Sequence, residues 1–299
     1  MIQNFAALPR CAVALKIGVF VFLNGKVLPE AEAFVPLADR GFLLGDGLFE
    51  TVCVANGKPF RFAQHLERLA RGADFLKIKI PFTPKEIQKY AAQLVAQNEL
   101  SDAVLRVTLT RGAGARGYSP KNSGTPMLAM TLHPLPPQNS AGLLQWNLVT
   151  STLRIPAGEA LAAFKTTSKI LNVLARAEAE EQGADEALLL NTNGEVAETA
   201  GGNLFWIYHD KICTVPTGRG VLPGITRAVV LEICQSLGLE TNKCVINPEQ
   251  LRRADGMFIT QSALGIIPVA ALDGLPVAAS PLVDQIAGAY NEILVRESA

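Results

Sequence analysis

In the stretch "VLRVTLTRGAGARGYSPKNSG", Val104 to Gly124, the residues Gly112, Gly114 and Gly117 spell a GxGxxG after a plausible strand, the signature by which a dinucleotide-binding fold would announce itself. In a dinucleotide-binding fold the third glycine opens a helix whose first amides hold the pyrophosphate, and an acidic residue follows about 20 residues on. Here Tyr118, Ser119, Pro120, Lys121, Asn122, Ser123 and Gly124 follow, a run rich in turn formers that leads into a second apolar stretch, "PMLAMTLHP". No helix starts, so a phosphate would find no helix amides to sit on. The glycines are read instead as a flexible loop joining two strands. Arg116 and Tyr118 then become candidates for contact with a substrate, since loops carry binding groups on a rigid scaffold.

Asn24-Gly25, Asn56-Gly57, Asn193-Gly194 and Asp273-Gly274 each sit between apolar runs. Such pairs favour type I′ turns, because both central residues accept positive φ. The chain therefore reads as antiparallel hairpins with helices between them, over Ala63–Leu76, Pro84–Asn98, Lys169–Gln182, Thr226–Leu237 and Pro281–Val295. This lacks the regular strand–helix alternation of a parallel doubly wound sheet. The prolines of "PLPPQNSAG", Pro134 to Gly142, read as a linker. The expected organisation is α+β in two domains. A small one spans 21–134, a linker 135–141, and a larger strand-rich one 142–299. Residues 1–20 form an extension whose apolar part, broken by Lys16, lacks a small-residue cleavage site and is too short to span a bilayer.

At 299 residues the chain can bury two sizeable cores. Its 27 basic and 27 acidic residues balance, which leaves no electrostatic footprint for nucleic acid or an anionic membrane. The cysteines, Cys11, Cys53, Cys213, Cys234 and Cys244, are odd in number and scattered. Without a CxxC pair they suggest neither a metal site nor a redox site, and a reduced cytoplasm fits them best.

Four stretches carry candidate chemistry. "AFKTTSKILNVLARAEAEEQGADEALLL" puts Lys165 in a non-helical segment before a helix, and "NGEVAETAGGNLFWI" puts Glu198 beside a hairpin strand, followed by Asn203. "GVLPGITRAVVLEI" starts a helix near Ile225 or Thr226, and "MFITQSALGIIPV" ends a strand at Gln261-Ser262. Singly each has a bland reading: a solvated lysine, a solvent-facing glutamate, an N-cap, a turn former. Together they supply what pyridoxal phosphate needs: a lysine for its aldehyde, an acid for its ring nitrogen, and donors for its phosphate. A carboxylate at Glu198 would keep the ring nitrogen protonated, and the helix start offers free amides to a dianion.

The chain is identified as a member of the class IV (fold type IV) pyridoxal-phosphate enzymes, which include branched-chain aminotransferases, D-amino acid aminotransferases and 4-amino-4-deoxychorismate lyases. The resemblance runs from about Phe22 to the C-terminus and rests on six motifs in the family's order. These are "DRGFLLGDGLFET", "HLERL", "KTTSKILNVLARAEA", "EVAETAGGNLF", "LPGITR" and "SALGIIPV". It implies that Lys165 attaches the cofactor, with Lys169 as the competitor, and that Glu198 faces the ring nitrogen. It also implies that Arg68, Ile225, Thr226 and Ser262 hold the phosphate while Asn203 supports the site. A homodimer acting on a small amino substrate is implied as well.

The family's reactions share their first steps, in which the lysine removes the Cα proton. A transaminase then releases a keto acid, whereas the lyase releases pyruvate and p-aminobenzoate. "TRGAGARGYSPKNSG" resembles the lyases' loop, and "QSALGIIPV" is more similar to their ending than to the Thr-Ser-Glu run of D-amino acid aminotransferases. Glu50 of "GLFET" discriminates poorly. Arg116 could clamp a carboxylate in either kind of enzyme. Arg106 is a second candidate for that role or a structural ion-pair residue, and Tyr118 and Phe49 complete the substrate candidates. The lyase is the first expectation. An aminotransferase of D-amino or branched-chain amino acids stays open beside it.

Overall fold

A computed structural model describes residues 19–135 and 144–299, so most of the expected extension and most of the expected linker lie outside the described residues. Turn chemistry sets the pairings of the first sheet. At Asn24-Gly25 and Asn56-Gly57 both residues take positive φ, and Leu23 pairs with Lys26, Ala55 with Lys58. The sheet has six strands in the order Lys26–Pro29, Phe20–Leu23, Met127–Pro134, Ala103–Thr110, Gly47–Ala55 and Lys58–Pro59, every pairing antiparallel. The glycine run joins two neighbouring strands of it, with Thr110 opposite Met127, and no helix follows. A Cβ on Gly112 would lie 2.1 Å from the Thr125 carbonyl oxygen, and one on Gly114 would lie 2.7 Å from Arg40 Cδ. Those glycines answer close approaches within the protein.

Among the described residues seven helices accompany the strands: α1 (Arg40–Leu44), α2 (Phe62–Leu76), α3 (Pro84–Asn98), α4 (Ile170–Glu181), α5 (Ile225–Ser236), α6 (Pro248–Leu251) and α7 (Pro281–Ser298). The α3 boundaries follow from local chemistry. Thr83 accepts from the Glu86 amide while Glu86 accepts from the Thr83 amide, and Pro84 takes the first turn, where no amide hydrogen is needed. Helices α2 and α3 pack Leu66, Leu69, Ile87 and Leu94 on the face of the first sheet that carries Phe22, Val52 and Leu105.

The second sheet has nine strands, running from Thr241–Lys243 through Lys211–Thr214, Asn203–Tyr208, Gly256–Gln261, Gly265–Leu272, Trp146–Ile155 and Glu186–Asn191 to Val196–Thr199, with Leu275–Pro276 paired at the side. The hairpin reading needs correction here, because Trp146–Ile155 lies parallel to both of its neighbours. Its link to Glu186–Asn191 passes through α4, the length of crossover that parallel pairing requires. Asn193-Gly194 is corrected too. Only Gly194 has positive φ, and its amide donates to the Asn191 carbonyl, so a type I turn with a left-handed residue closes that hairpin. His209-Asp210, with positive φ at both residues, forms a two-residue turn where no Asn-Gly announced one.

A third apolar cluster joins the two sheets. Cys53 and Phe60 of the first half pack with Val230, Ile233, Ile286 and Tyr290 of α5 and α7, over Phe205 and Phe258 of the second sheet. Those two rings stack with centroids 4.9 Å apart. Burying each contributes about 1.5–3 kcal/mol.

Candidate active site

Along Gly47–Ala55 the side chains alternate between two environments, as a pleat requires. Leu48, Glu50, Val52 and Val54 are buried against α2, while Phe49 and Thr51 line a cavity of about 330 Å³ between the sheets. The segment carrying Lys165 is fastened to this strand. The Phe49 amide donates to the Lys165 carbonyl at 2.9 Å and the Thr167 amide to the Gly47 carbonyl at 3.0 Å. Lys165 therefore enters the cavity from a fixed backbone, its ammonium 4.5 Å from the Phe49 ring centroid. Burial, with Arg68 nearby, pushes its pKa down to about 8. A free amine is then available close to neutral pH.

Glu198 lies on the cavity wall opposite the first sheet. Its Oε2 accepts from the Leu222 amide at 3.0 Å and from Asn203 Nδ2 at 3.2 Å, and Asn203 also donates to the Leu222 carbonyl. Among the described residues nothing bonds its Oε1. Burial pushes this carboxyl up to about 7, against the pull of the Leu222 amide and of Lys169 and Lys165. Such a group gains from a cationic N–H brought against it.

Arg68 reaches the cavity from α2 in a held fork. Nε and Nη2 bond Glu50 at 2.8 and 2.6 Å, and Nη1 donates to the Pro223 carbonyl at 2.9 Å. His65 Nδ1 stands 2.7 Å from the same Glu50 oxygen as Nη2. Burial dominates the His65 shift and lowers its pKa, so the ring is neutral and donates from Nδ1. Burial alone would raise Glu50, yet the bonds from Arg68 and His65 hold it below the usual range. Among the described residues two N–H groups of Arg68 remain free for a ligand.

Beside Arg68 begins α5, whose first-turn amides have no carbonyl within the helix and no side-chain cap. Ile225, Thr226 and Ser262 line the cavity at this end, and so does Thr260, whose buried hydroxyl has no partner among the described residues. Unfilled donors around a helix start, with a lysine and an isolated carboxyl beyond them, fit a phosphate-bearing, nitrogen-containing aldehyde. This is the donor set that pyridoxal phosphate requires.

Of the expected site residues, Phe49, Arg68, Lys165, Glu198, Asn203, Ile225, Thr226 and Ser262 share this cavity. Arg106, paired with Thr51 on the same face of the sheet, does not line it, but its guanidinium lies 3.9 Å from the Phe49 ring centroid. Arg116 and Tyr118 do not line it; both are exposed, on the loop after Thr110. Lys169, the competitor of Lys165 and the expected first residue of a helix, instead precedes α4 and lines the cavity. Glu50 was overlooked as a site residue, although a charged residue in the buried phase of an apolar strand signals a buried partner. Among the described residues no His, Cys, Asp or Glu cluster could hold a metal ion, and no helix is long and apolar enough to cross a membrane.

Residues 47–272 match the model of the class IV aminotransferases, and the chain belongs to that family, whose members depend on pyridoxal phosphate. It is 34% identical over 254 residues to a Methanocaldococcus jannaschii protein provisionally named a branched-chain-amino-acid aminotransferase, covering 85% of this chain and 88% of the relative. It is 29% identical over 250 residues to the aminodeoxychorismate lyase of Bacillus subtilis, covering 83% and 85%. The branched-chain aminotransferase of the thermophilic archaeon Thermoproteus uzoniensis, solved with norvaline, superposes with a TM-score of 0.86 at 28% identity, covering 94% of this chain and 96% of that one.

Proposed function

We propose that this class IV enzyme is a 4-amino-4-deoxychorismate lyase, releasing p-aminobenzoate and pyruvate. The observation that carries the reading is Lys169, a second ammonium in the cavity with no ion-pair partner among the described residues. 4-Amino-4-deoxychorismate carries two carboxylates, and a cavity with an unpaired cation beside the cofactor residues suits such a substrate better than a branched apolar side chain. Bound here, pyridoxal phosphate would supply a ring that takes up the electron pair left at the substrate Cα.

In this reading Lys165 attaches the cofactor and moves the Cα proton, while Glu198, held by Asn203 and Leu222, keeps the ring nitrogen protonated. Arg68, Ile225, Thr226 and Ser262 hold the phosphate. Phe49, braced by Arg106, walls the reacting centre, and Arg116 with Tyr118 meets the substrate from the loop. The residues over 21–134 and 142–299 act as two domains with the cavity between their sheets.

A homodimer is part of the same reading. Phe42, Leu43 and Leu44 of α1 and Ile170, Val173 and Leu174 of α4 are all exposed. The ends of the two helices meet, since a Cβ on Gly45 would lie 3.1 Å from Ser168 Cβ. One joined apolar patch of this kind favours burial against a second copy. Leu174→Glu should shift the protein towards the monomer in a sedimentation experiment.

An aminotransferase is the second reading, favoured by the likeness to the Methanocaldococcus jannaschii relative. Incubation with 4-amino-4-deoxychorismate separates the two. Equimolar p-aminobenzoate and pyruvate support the lyase. Absence of both, with D- or L-amino acids converting the bound cofactor to its amine form, makes the protein an aminotransferase.

A further inference from the structure

Arg40 lies on α1, far in sequence from the glycine loop after Thr110, yet its guanidinium collects that loop. Nη1 donates to the carbonyls of Gly117 at 3.0 Å and Ser119 at 3.1 Å, and Nη2 donates to the Tyr118 carbonyl at 3.0 Å. Nε bonds Asp46 at 2.8 Å, and the side chain is buried. Asp46 is shared with Arg111, which in turn donates to the carbonyls of Leu76 and Lys77 at the end of α2. Burial acts to raise the Asp46 carboxyl, but the bonds from Arg111 and Arg40 hold it below the usual range, so the Arg40 charge is compensated.

The loop tip has little else to order it. Among the described residues, 115–119 make no backbone-to-backbone hydrogen bond. Gly114 leaves room for the Arg40 stem, and Arg40 ties three successive carbonyls to the body of the protein. A planar fork binds such carbonyls at set angles, which a lysine cannot do. Outside this clamp Arg116 and Tyr118 are exposed. A binding loop fixed before its ligand arrives loses less entropy on binding.

We propose that Arg40 is the positioning residue of a substrate-recognition loop, holding the backbone of residues 117–119 so that Arg116 and Tyr118 are presented to the substrate carboxylate. The assignment rests on the reading of Arg116 as a substrate contact. It explains why this stretch combines glycines with an exposed arginine without binding a nucleotide.

Arg40→Lys, which keeps a charge for Asp46 and a slim stem beside Gly114, is the test on the cofactor-loaded enzyme, with Arg40→Met as the second variant. The substrate is 4-amino-4-deoxychorismate, D-alanine or L-leucine, whichever the assay above turns over. We expect KM to rise about tenfold, the worth of one charge-assisted contact, with kcat and the bound cofactor's absorption spectrum unchanged. Trypsin should cut after Arg116 and Lys121 faster than in the parent. Arg116→Ala should raise KM equally, and combining it with Arg40→Lys should add little. If Arg116→Ala raises KM while a folded Arg40→Lys or Arg40→Met leaves it unchanged, Arg40 does not position the loop. If Arg116→Ala itself leaves KM unchanged, the substrate role of the loop fails, and this assignment fails with it.

Discussion

Arg68 meets Glu50 side-on, Nε to Oε1 at 2.8 Å and Nη2 to Oε2 at 2.6 Å, with both side chains buried. The pair crosses from α2 to the strand Gly47–Ala55 and aims the rest of the guanidinium at the cavity. Removing one partner of a buried pair leaves the other charge uncompensated, at a cost of about 3–5 kcal/mol. Glu50→Ala should therefore destabilise the cofactor-free protein by about that amount in urea unfolding. Added pyridoxal phosphate should stabilise the variant more than the parent, because the phosphate takes over compensation of Arg68. An equal gain in both proteins would show that Arg68 does not reach the phosphate.

Lys165 is the amine that the backbone of Gly47 and Phe49 holds in the cavity. Lys165→Ala should abolish turnover and remove the visible absorption of lysine-linked cofactor. Turnover at the parent rate would end its assignment as the attaching residue.

On the proposed lyase reading, Lys169 should separate the substrate classes. A charge-assisted contact contributes about 1.5–3 kcal/mol, so Lys169→Met should raise KM for 4-amino-4-deoxychorismate about tenfold or more. D-alanine, with a single carboxylate, should be affected far less if it reacts at all. Equal effects on both would move Lys169 from the substrate to the cofactor.

Stability against pH should betray the two displaced groups in the cofactor-free enzyme. Glu198 sits at about 7 against an ordinary 4.5, so between these values the folded state binds more protons than the unfolded, and stability falls as pH rises. Lys165 sits at about 8 against 10.5, so above 8 the folded state binds fewer protons at this group and its contribution rises with pH, until above about 9 the buried thiols of Cys53, Cys213 and Cys234, which burial pushes up to about 11, 12 and 11, slope the other way. A series of melting temperatures should thus pass through a minimum between pH 7 and 8. Glu198→Gln should flatten the acid limb, leaving a remnant from Glu186, whose carboxyl burial also raises. Lys165→Met should flatten the alkaline limb, leaving a remnant from Lys169, which burial lowers. Because His65, whose pKa burial lowers, slopes the other way below its ordinary 6.5, the comparison of parent with variant is decisive: acid sides that coincide in the parent and Glu198→Gln would mean that the Glu198 carboxyl is well solvated.

Much of the site was legible because its chemistry is carried by residue types at short spacing. Lys165 ahead of a helix, Glu198 after a turn and a glycine before Ile225-Thr226 each make sense within a dozen residues, and all line one cavity. Glu50 and Lys169 were not legible in the same way. Glu50 acquires its meaning from Arg68, which arrives from another element. The hold on the loop that carries Arg116 and Tyr118 likewise comes from Arg40, whose carbonyl partners lie 77 to 79 residues away.

By itself the sequence determined the local decisions: Asn-Gly turns at Gly25 and Gly57, the Thr83 cap of α3, and a glycine loop that no helix follows. Each depends on dihedral preference or a hydrogen bond between near neighbours, which any copy of the segment would make. The tertiary structure alone decided that Trp146–Ile155 runs parallel to both neighbours, that Arg68 is clamped by Glu50, and that a second lysine faces the cavity. Those arrangements depend on which distant groups are brought opposite one another. Buried charges and strand orientation are settled by their partners, and the partners meet only when the chain has folded.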